Sequence, residues 1–270
     1  MPLVWSAVTS ATAPSPDLPP LDLVVPAHER LEPDAHEARL LGLYAVPEPA
    51  TRHVRANMVA SVDGAAWGPD HRTGTINDDA DFRVFRVLRA LADVVLVGAG
   101  TARTEGYTAL DRPAGPTPAG ARPLELALVT RTGHLSPALS GAERPPFVVT
   151  GTGGEQAARE AVPADRVVVV PRADDPREVD LVAGLDALAE RGMTRVLTEG
   201  GPQLLSALVT AGLVDELCVT TTPQLVGPGP ARIVAGSGPV GASSGPTTPA
   251  RLGHLLAAPS GTLLARWVLC

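Results

Sequence analysis

Short runs of apolar, often β-branched residues recur along the chain, separated by stretches whose apolar residues fall at helical spacing. Val94 to Val97 has no polar interruption, the pattern of a strand buried on both faces. His53 to Ser61 alternates loosely and stops at Asp63-Gly64, which predicts a strand followed by a sharp bend. Leu124 to Thr130, Phe147 to Thr150, Val167 to Val170 and Arg195 to Thr198 read as further strands. Between them, Phe82, Phe85, Leu88 and Leu91 recur at helical spacing behind Asn77, Asp78 and Asp79, which supply an N-cap and an acidic first turn. Glu155 to Ala161, Leu181 to Arg191 before Gly192, and Leu204 to Ala211 before Gly212 read as helices too. Strands alternating with helices predict an α/β fold with a mostly parallel sheet covered on both faces.

The ends of the chain read differently. Met1 to Pro20 is rich in Pro, Ala, Ser and Thr without periodicity, which predicts a poorly ordered arm over residues 1–20 ahead of a single domain over 21–270. Leu21 to Ala50 is mixed, with one short helix from Glu37 to Tyr44, and regular structure is expected only after it. Leu217 to Thr222, Ala231 to Ala235, Arg251 to Ala257 and Thr262 to Leu269 read as strands with no helix among them, an antiparallel addition to the sheet edge.

Composition narrows the chemistry. Aromatic residues make up only 3% against 44% hydrophobic, so the core is built from Ala, Val and Leu. A net charge of −7 without a basic run lacks the footprint of phosphate-backbone binding, so no nucleic-acid partner is expected. All 22 basic residues are Arg, which excludes a Walker lysine, a Schiff-base lysine and pyridoxal chemistry. Cys218 and Cys270 form neither a disulfide framework nor a thiolate metal site, and the six His show no metal spacing. No signal-peptide pattern or long apolar run is present, so a cytoplasmic protein without membrane contact is expected.

Two glycine turns join a buried strand to a helix start, Gly98-Ala-Gly-Thr101 and Glu199-Gly-Gly-Pro202. Such turns let backbone approach a ligand and present N–H groups to an anion such as a nucleotide diphosphate, although tight strand–helix connections use glycine for steric reasons as well. The Rossmann fingerprint is absent, since after Gly100 the next glycine is Gly106.

Five segments then carry a resemblance. Asn57-Met-Val-Ala-Ser-Val-Asp-Gly64, Phe85 to Asp93, Val95-Leu-Val-Gly-Ala-Gly-Thr-Ala-Arg-Thr-Glu105, Leu128 to Pro137, and Thr198-Glu-Gly-Gly-Pro continuing to Leu217 together resemble the reductase domain of bacterial riboflavin biosynthesis, in the family's order. The match extends to its stand-alone, pyrimidine reductase-like subgroup. The resemblance implies a dihydrofolate reductase-like α/β/α fold, NADPH as cofactor, a small-molecule substrate and a homodimer. It implies that Val59, Thr75, Thr101 and Glu105 lie by the nicotinamide. Gly98 and Gly100 with Gly200, Gly201, Pro202, Gln203 and Leu204 would hold the phosphates, and Arg131 would meet the 2′-phosphate end. Arg89, Thr73, Arg112 and Glu199 would contact the substrate, and Asp63 or Glu199 would stabilise the sugar imine that accepts hydride.

Each residue has a second reading. Arg89 lies on a helix whose apolar face is carried by Leu88 and Leu91, which suits a solvated arginine. Asp63 suits a turn before Gly64, and Glu199 suits a helix N-terminus. Trp67 and Tyr107 read equally as packing. The chain lacks the His-x-Glu and Pro-Cys-x-x-Cys signature of the zinc deaminase joined to the reductase in the bifunctional enzymes, so no deaminase activity is expected. Those enzymes carry a tryptophan in the segment matching Arg72 to Asn77, here Arg-Thr-Gly-Thr-Ile-Asn, which implies a different substrate pocket. A ribosylamino-pyrimidine phosphate reductase is the leading reading, with 5-amino-6-(5-phosphoribosylamino)uracil as first candidate. A dihydrofolate or pterin reductase and an NADPH-binding sensor without turnover are the alternatives.

Overall fold

The computed structural model describes residues 18–46, 52–117, 120–235 and 247–270. The predicted arm lies outside the described residues except for Leu18 to Pro20. In chain order the elements are β1 (Leu21–Val25), β2 (Glu29–Leu31), α1 (Ala38–Tyr44), β3 (His53–Ser61), α2 (Asp79–Leu91), β4 (Val94–Gly98), α3 (Ala99–Glu105), β5 (Glu125–Thr130), α4 (Pro137–Ser140), β6 (Phe147–Thr150), α5 (Glu155–Ala161), β7 (Val167–Val169), α6 (Leu181–Glu190), β8 (Arg195–Thr198), α7 (Pro202–Thr210), β9 (Glu216–Thr222), β10 (Ala250–Ala257) and β11 (Leu263–Leu269).

Among the described residues the strands form one sheet in the order β2-β1-β10-β11-β9-β3-β8-β4-β5-β6-β7. From β9 through β3 to β7 every pairing is parallel, and from β9 outward through β11, β10, β1 and β2 every pairing is antiparallel. The parallel half is covered on both faces because its strands alternate side by side. Val94 and Leu96 of β4 face one core with α6 and α7, whereas Val95 and Val97 face the other with α1 and α2. Helix α2 starts where its cap residue says it should: the Asp78 carboxylate accepts the N–H groups of Ala80 and Asp81.

Two expectations are corrected. The stretch before residue 50 contains strands β1 and β2, and β1 pairs with β10 from the far end of the chain. Ala231 to Ala235 is not a strand. It is a loop held by single backbone bonds, Ala66 N–H to the Ala231 carbonyl at 2.8 Å and Ala235 N–H to the Pro202 carbonyl at 3.2 Å. The Pro228 and Pro230 breakers with left-handed Gly227 and Gly229 precede it and forbid a regular ladder. No described helix is long and apolar enough to cross a membrane.

Candidate active site

Because β3, β8, β4 and β5 run parallel, the loops after them open on one edge of the sheet, where α/β proteins place ligands. The ends of β4 and β8 are locked together by the Glu199 N–H donating to the Leu96 carbonyl at 3.1 Å and the Gly98 N–H donating to the Gly200 carbonyl at 2.9 Å. The two glycine turns are therefore neighbours. Gly200 has φ 81°, a left-handed conformation that favours glycine, and a Cβ there would stand 3.0 Å from Met58 Sδ. A Cβ on Gly201 would meet Thr101 Oγ1 at 2.3 Å. Neither α3 nor α7 carries a side-chain cap, so first-turn N–H groups of both remain for an outside acceptor.

Beside this bend lies a cleft with about 830 Å³ of empty space, its open mouth included. A ligand pocket commonly falls in this size range. Val59, Thr73, Arg89, Thr101, Glu105 and Glu199, all named from the sequence, line it together. Arg89 is buried rather than solvated: its Nε and Nη2 donate to the two oxygens of Glu199, each at 2.8 Å. The Tyr107 hydroxyl donates to the same carboxylate at 2.5 Å, and the Arg89 guanidinium lies 4.2 Å from the Phe85 ring centroid. Burial and the Glu199 charge hold the Tyr107 phenol well above its ordinary value, so it stays protonated and donates. Glu105 accepts the Thr73 N–H at 3.0 Å, and burial raises its pKa.

Other candidates stand apart from the cleft lining. Asp63 is exposed and committed to its own loop, accepting from the Ser61 hydroxyl and from the N–H groups of Gly227 at 2.7 Å and Val226 at 3.2 Å. Those donors, Ser61 first, hold its pKa at about 2. Arg112 donates to the backbone carbonyls of Arg122 and Ala90, closing the end of α2. Thr75 is exposed and donates to Asp70 at 3.0 Å. Gly100 sits within α3, where a Cβ would meet nothing within 4 Å. Gln203 and Leu204 form the first turn of α7 with Pro202, and the Leu204 side chain is buried in the core, leaving its backbone for a ligand. Arg131 follows β5 with 71% of its side chain exposed, 3.3 Å from Glu178.

Sequence reasoning missed Asp81 and did not separate Tyr107 from ordinary packing. Asp81, Phe85 and Arg89 recur every four residues on the cleft-facing side of α2, the one signal that could have found the first. Asp81 is 5% exposed, and burial raises its pKa to about 7.

Residues 52–263 match the model of the RibD C-terminal domain. The chain is 27% identical over 183 residues to the 2,5-diamino-6-ribosylamino-4(3H)-pyrimidinone 5′-phosphate reductase of Archaeoglobus fulgidus, covering 65% of this chain and 82% of that one. It is 30% identical over 188 residues to the riboflavin biosynthesis protein RibD of Mycobacterium tuberculosis, covering 67% of this chain and 45% of that one. The chain thus spans less than half of that longer relative. In structure it is similar to a pyrimidine reductase-like protein from Corynebacterium diphtheriae, with TM-score 0.68, 23% identity, and 86% and 98% of the two chains covered. Acinetobacter baumannii RibD aligns with TM-score 0.60 at 19% identity, over 82% of this chain and 58% of its own. These likenesses show the fold, the expected dihydrofolate reductase-like α/β arrangement. With nearly the whole parallel half and its cleft inside the matched span, the chain belongs to the RibD C-terminal domain family.

Proposed function

We propose that the chain is an NADPH-dependent reductase that converts a ribosylamino-pyrimidine phosphate, in its open-chain imine form, to the ribitylamino compound. The observation that carries this reading is the buried Arg89–Glu199–Tyr107 cluster, set in one cleft with Thr101 and Glu105 beside two uncapped helix starts. The archaeal relative is a reductase of such a phosphate.

The residues fit a dinucleotide. Glycine at 200 and 201 lets Met58 and Thr101 pack directly against the bend, and the amides of Gln203 and Leu204 at the start of α7 suit pyrophosphate oxygens. Arg131, with a largely exposed guanidinium just after β5, suits a 2′-phosphate and favours NADPH over NADH. When bound, the dihydronicotinamide supplies the hydride. Glu199 places negative charge beside the positive imine, and Arg89 and Tyr107 fix its orientation. Between the two candidate acids, the position of Glu199 in the cleft favours it over Asp63, whose donors serve the loop at 226–227.

The reading extends to a cytoplasmic homodimer, for which light scattering of the purified protein gives the oligomeric state. The function is tested by substrate-dependent loss of NADPH absorbance with the ribosylamino-pyrimidinone phosphate, with dihydrofolate as the comparison substrate. Turnover of the phosphate is expected, with a product heavier by two hydrogens. NADPH binding with no turnover of either substrate would favour the sensor reading instead.

A further inference from the structure

We infer that Asp81 is the acid of the reaction and gives a proton to the imine nitrogen of the substrate as hydride reaches C1′. This rests on the reductase reading above and assigns a step that the reading leaves open.

Asp81 occupies the third position of α2, where an acid ordinarily serves the helix start. That task is already done by Asp78, whose Oδ1 accepts the Ala80 and Asp81 N–H groups and whose Oδ2 accepts the Ser260 and Thr262 hydroxyls. Asp81 lines the cleft instead. The Thr220 hydroxyl on β9 donates to its Oδ1 at 2.5 Å, and among the described residues Oδ2 takes no protein donor. Nor does a guanidinium pair with it among those residues, since Arg89, on the same side of the helix, is committed to Glu199. Its charged neighbours are the carboxylates of Asp78 and Glu199, and the Tyr44 phenol of α1 near it is kept protonated by burial. A carboxyl buried without a cation and close to two negative charges holds its proton up to about pH 7.

The other polar groups of the cleft are engaged differently. Glu199 accepts on both oxygens from Arg89 and Tyr107, and the Tyr107 proton is committed to that bond. Glu105 accepts the Thr73 N–H and lies near the Arg72 charge, and both favour its ionised form against the effect of burial. Two acids in one cleft whose surroundings act in opposite senses divide the chemistry, one facing positive charge and the other supplying a proton. The Asp81 hydroxyl loses its proton to the lone pair of the imine nitrogen, which makes the C1′=N group cationic beside Glu199. Hydride from the dihydronicotinamide then forms the C1′–H bond while the C=N π pair becomes the lone pair of the amine. The sugar carbon is reduced, the coenzyme is oxidised, and Asp81 recovers a proton from water.

The test follows single-turnover oxidation of NADPH by the full chain across pH, at saturating 2,5-diamino-6-ribosylamino-4(3H)-pyrimidinone 5′-phosphate. The wild-type rate is expected to fall about tenfold per pH unit above about 7, as the acid loses its proton. Asp81→Asn keeps an oxygen for the Thr220 hydroxyl but has no acidic proton. It is expected to lower the rate about 100-fold and to abolish the alkaline fall, with KM and the NADPH Kd within about twofold of wild type. Thr220→Val removes a donor that favours the ionised carboxylate, so its alkaline fall is expected at higher pH than in the wild type. That shift carries the test should Asp81→Asn not fold. A wild-type rate without the alkaline fall, a folded Asp81→Asn with the wild-type rate, or an unmoved fall in Thr220→Val overturns the assignment of Asp81 while the reductase function stands. No oxidation of NADPH by the wild type with this phosphate overturns both.

Discussion

Helix α2 carries two buried arginine–carboxylate pairs, six residues apart, and they do different work. Arg83 donates from all five N–H positions, to both oxygens of Glu37 and to the carbonyls of Pro19, Leu31 and Glu32. Arg89 donates through Nε and Nη2 to Glu199 and lines the cleft. The first pair ties the N-terminal strands to the helix, and the second lines the cleft. The same contrast separates Asp78, saturated as a helix cap, from Asp81, with one oxygen open. Saturated charges in this fold hold scaffold together, and a buried charge with an unfilled valence is where a ligand is proposed to bind.

The sharpest way to break the contrast is to remove each arginine. Arg83→Met leaves Glu37 buried and unpaired, and is expected to cost ~3–5 kcal/mol of stability in urea unfolding with kcat/KM of the folded fraction unchanged. Arg89→Met costs a similar amount of stability and also lowers kcat/KM on the order of 100-fold, since Glu199 loses its orientation. If both variants lost activity only in proportion to unfolding, the two pairs would be equivalent.

Asp81 sharpens the comparison through pH. Its carboxyl is held at about 7 against an ordinary value of 3.8, chiefly by burial, with Asp78 and Glu199 adding to the rise and Thr220 opposing it. Between those values the folded chain keeps a proton that the unfolded chain has released, so this group makes stability fall as pH rises through the window. Asp81→Asn removes that slope, and its stability relative to wild type is expected to grow across the same window by a few kcal/mol, on the order of the shift itself. Melting temperatures of both proteins over the range check this, and parallel curves would contradict it. Glu216 acts with the opposite sign: its bonds with Arg55, Arg266 and His53 hold it below the usual carboxylate range despite burial, and its contribution is lost as pH falls.

Smaller effects fall on the cofactor side. Gly201→Ala puts a methyl against Thr101 Oγ1 and is expected to raise the Kd for NADPH about tenfold in calorimetry without loss of fold. Arg131→Ala, removing an exposed guanidinium, is expected to narrow the kcat/KM preference for NADPH over NADH by about fivefold, as a solvent-screened contact would.

The parallel half of the sheet was legible because strands such as Val94–Gly98 are short apolar runs and some helices carry their own start or stop signal, Asp78 as the cap of α2 and Gly192 after α6. The antiparallel half was legible only in part. Strand β1 has little local signal, since what makes it a strand is β10 more than two hundred residues later, whereas Ala231 to Ala235 has the composition of a strand and no partner. The site was legible where motifs mark backbone geometry, at the two glycine turns and Glu199. It was illegible where burial inverts the ordinary meaning of charge: Arg89 also suited a solvated arginine and is 6% exposed, and nothing in the sequence marked Arg83 and Arg86, which are 1% and 8% exposed. Asp81 was hidden by Asp78 and Asp79, which account for an acidic helix start without it.

The most direct test of the reductase account is a crystal structure of the chain with NADPH bound. The account predicts the nicotinamide beside Thr101 and Glu105, facing the Arg89–Glu199 pair, with the pyrophosphate on the Gly201 end of α7 and the 2′-phosphate toward Arg131. A cofactor seated away from that cleft would contradict it.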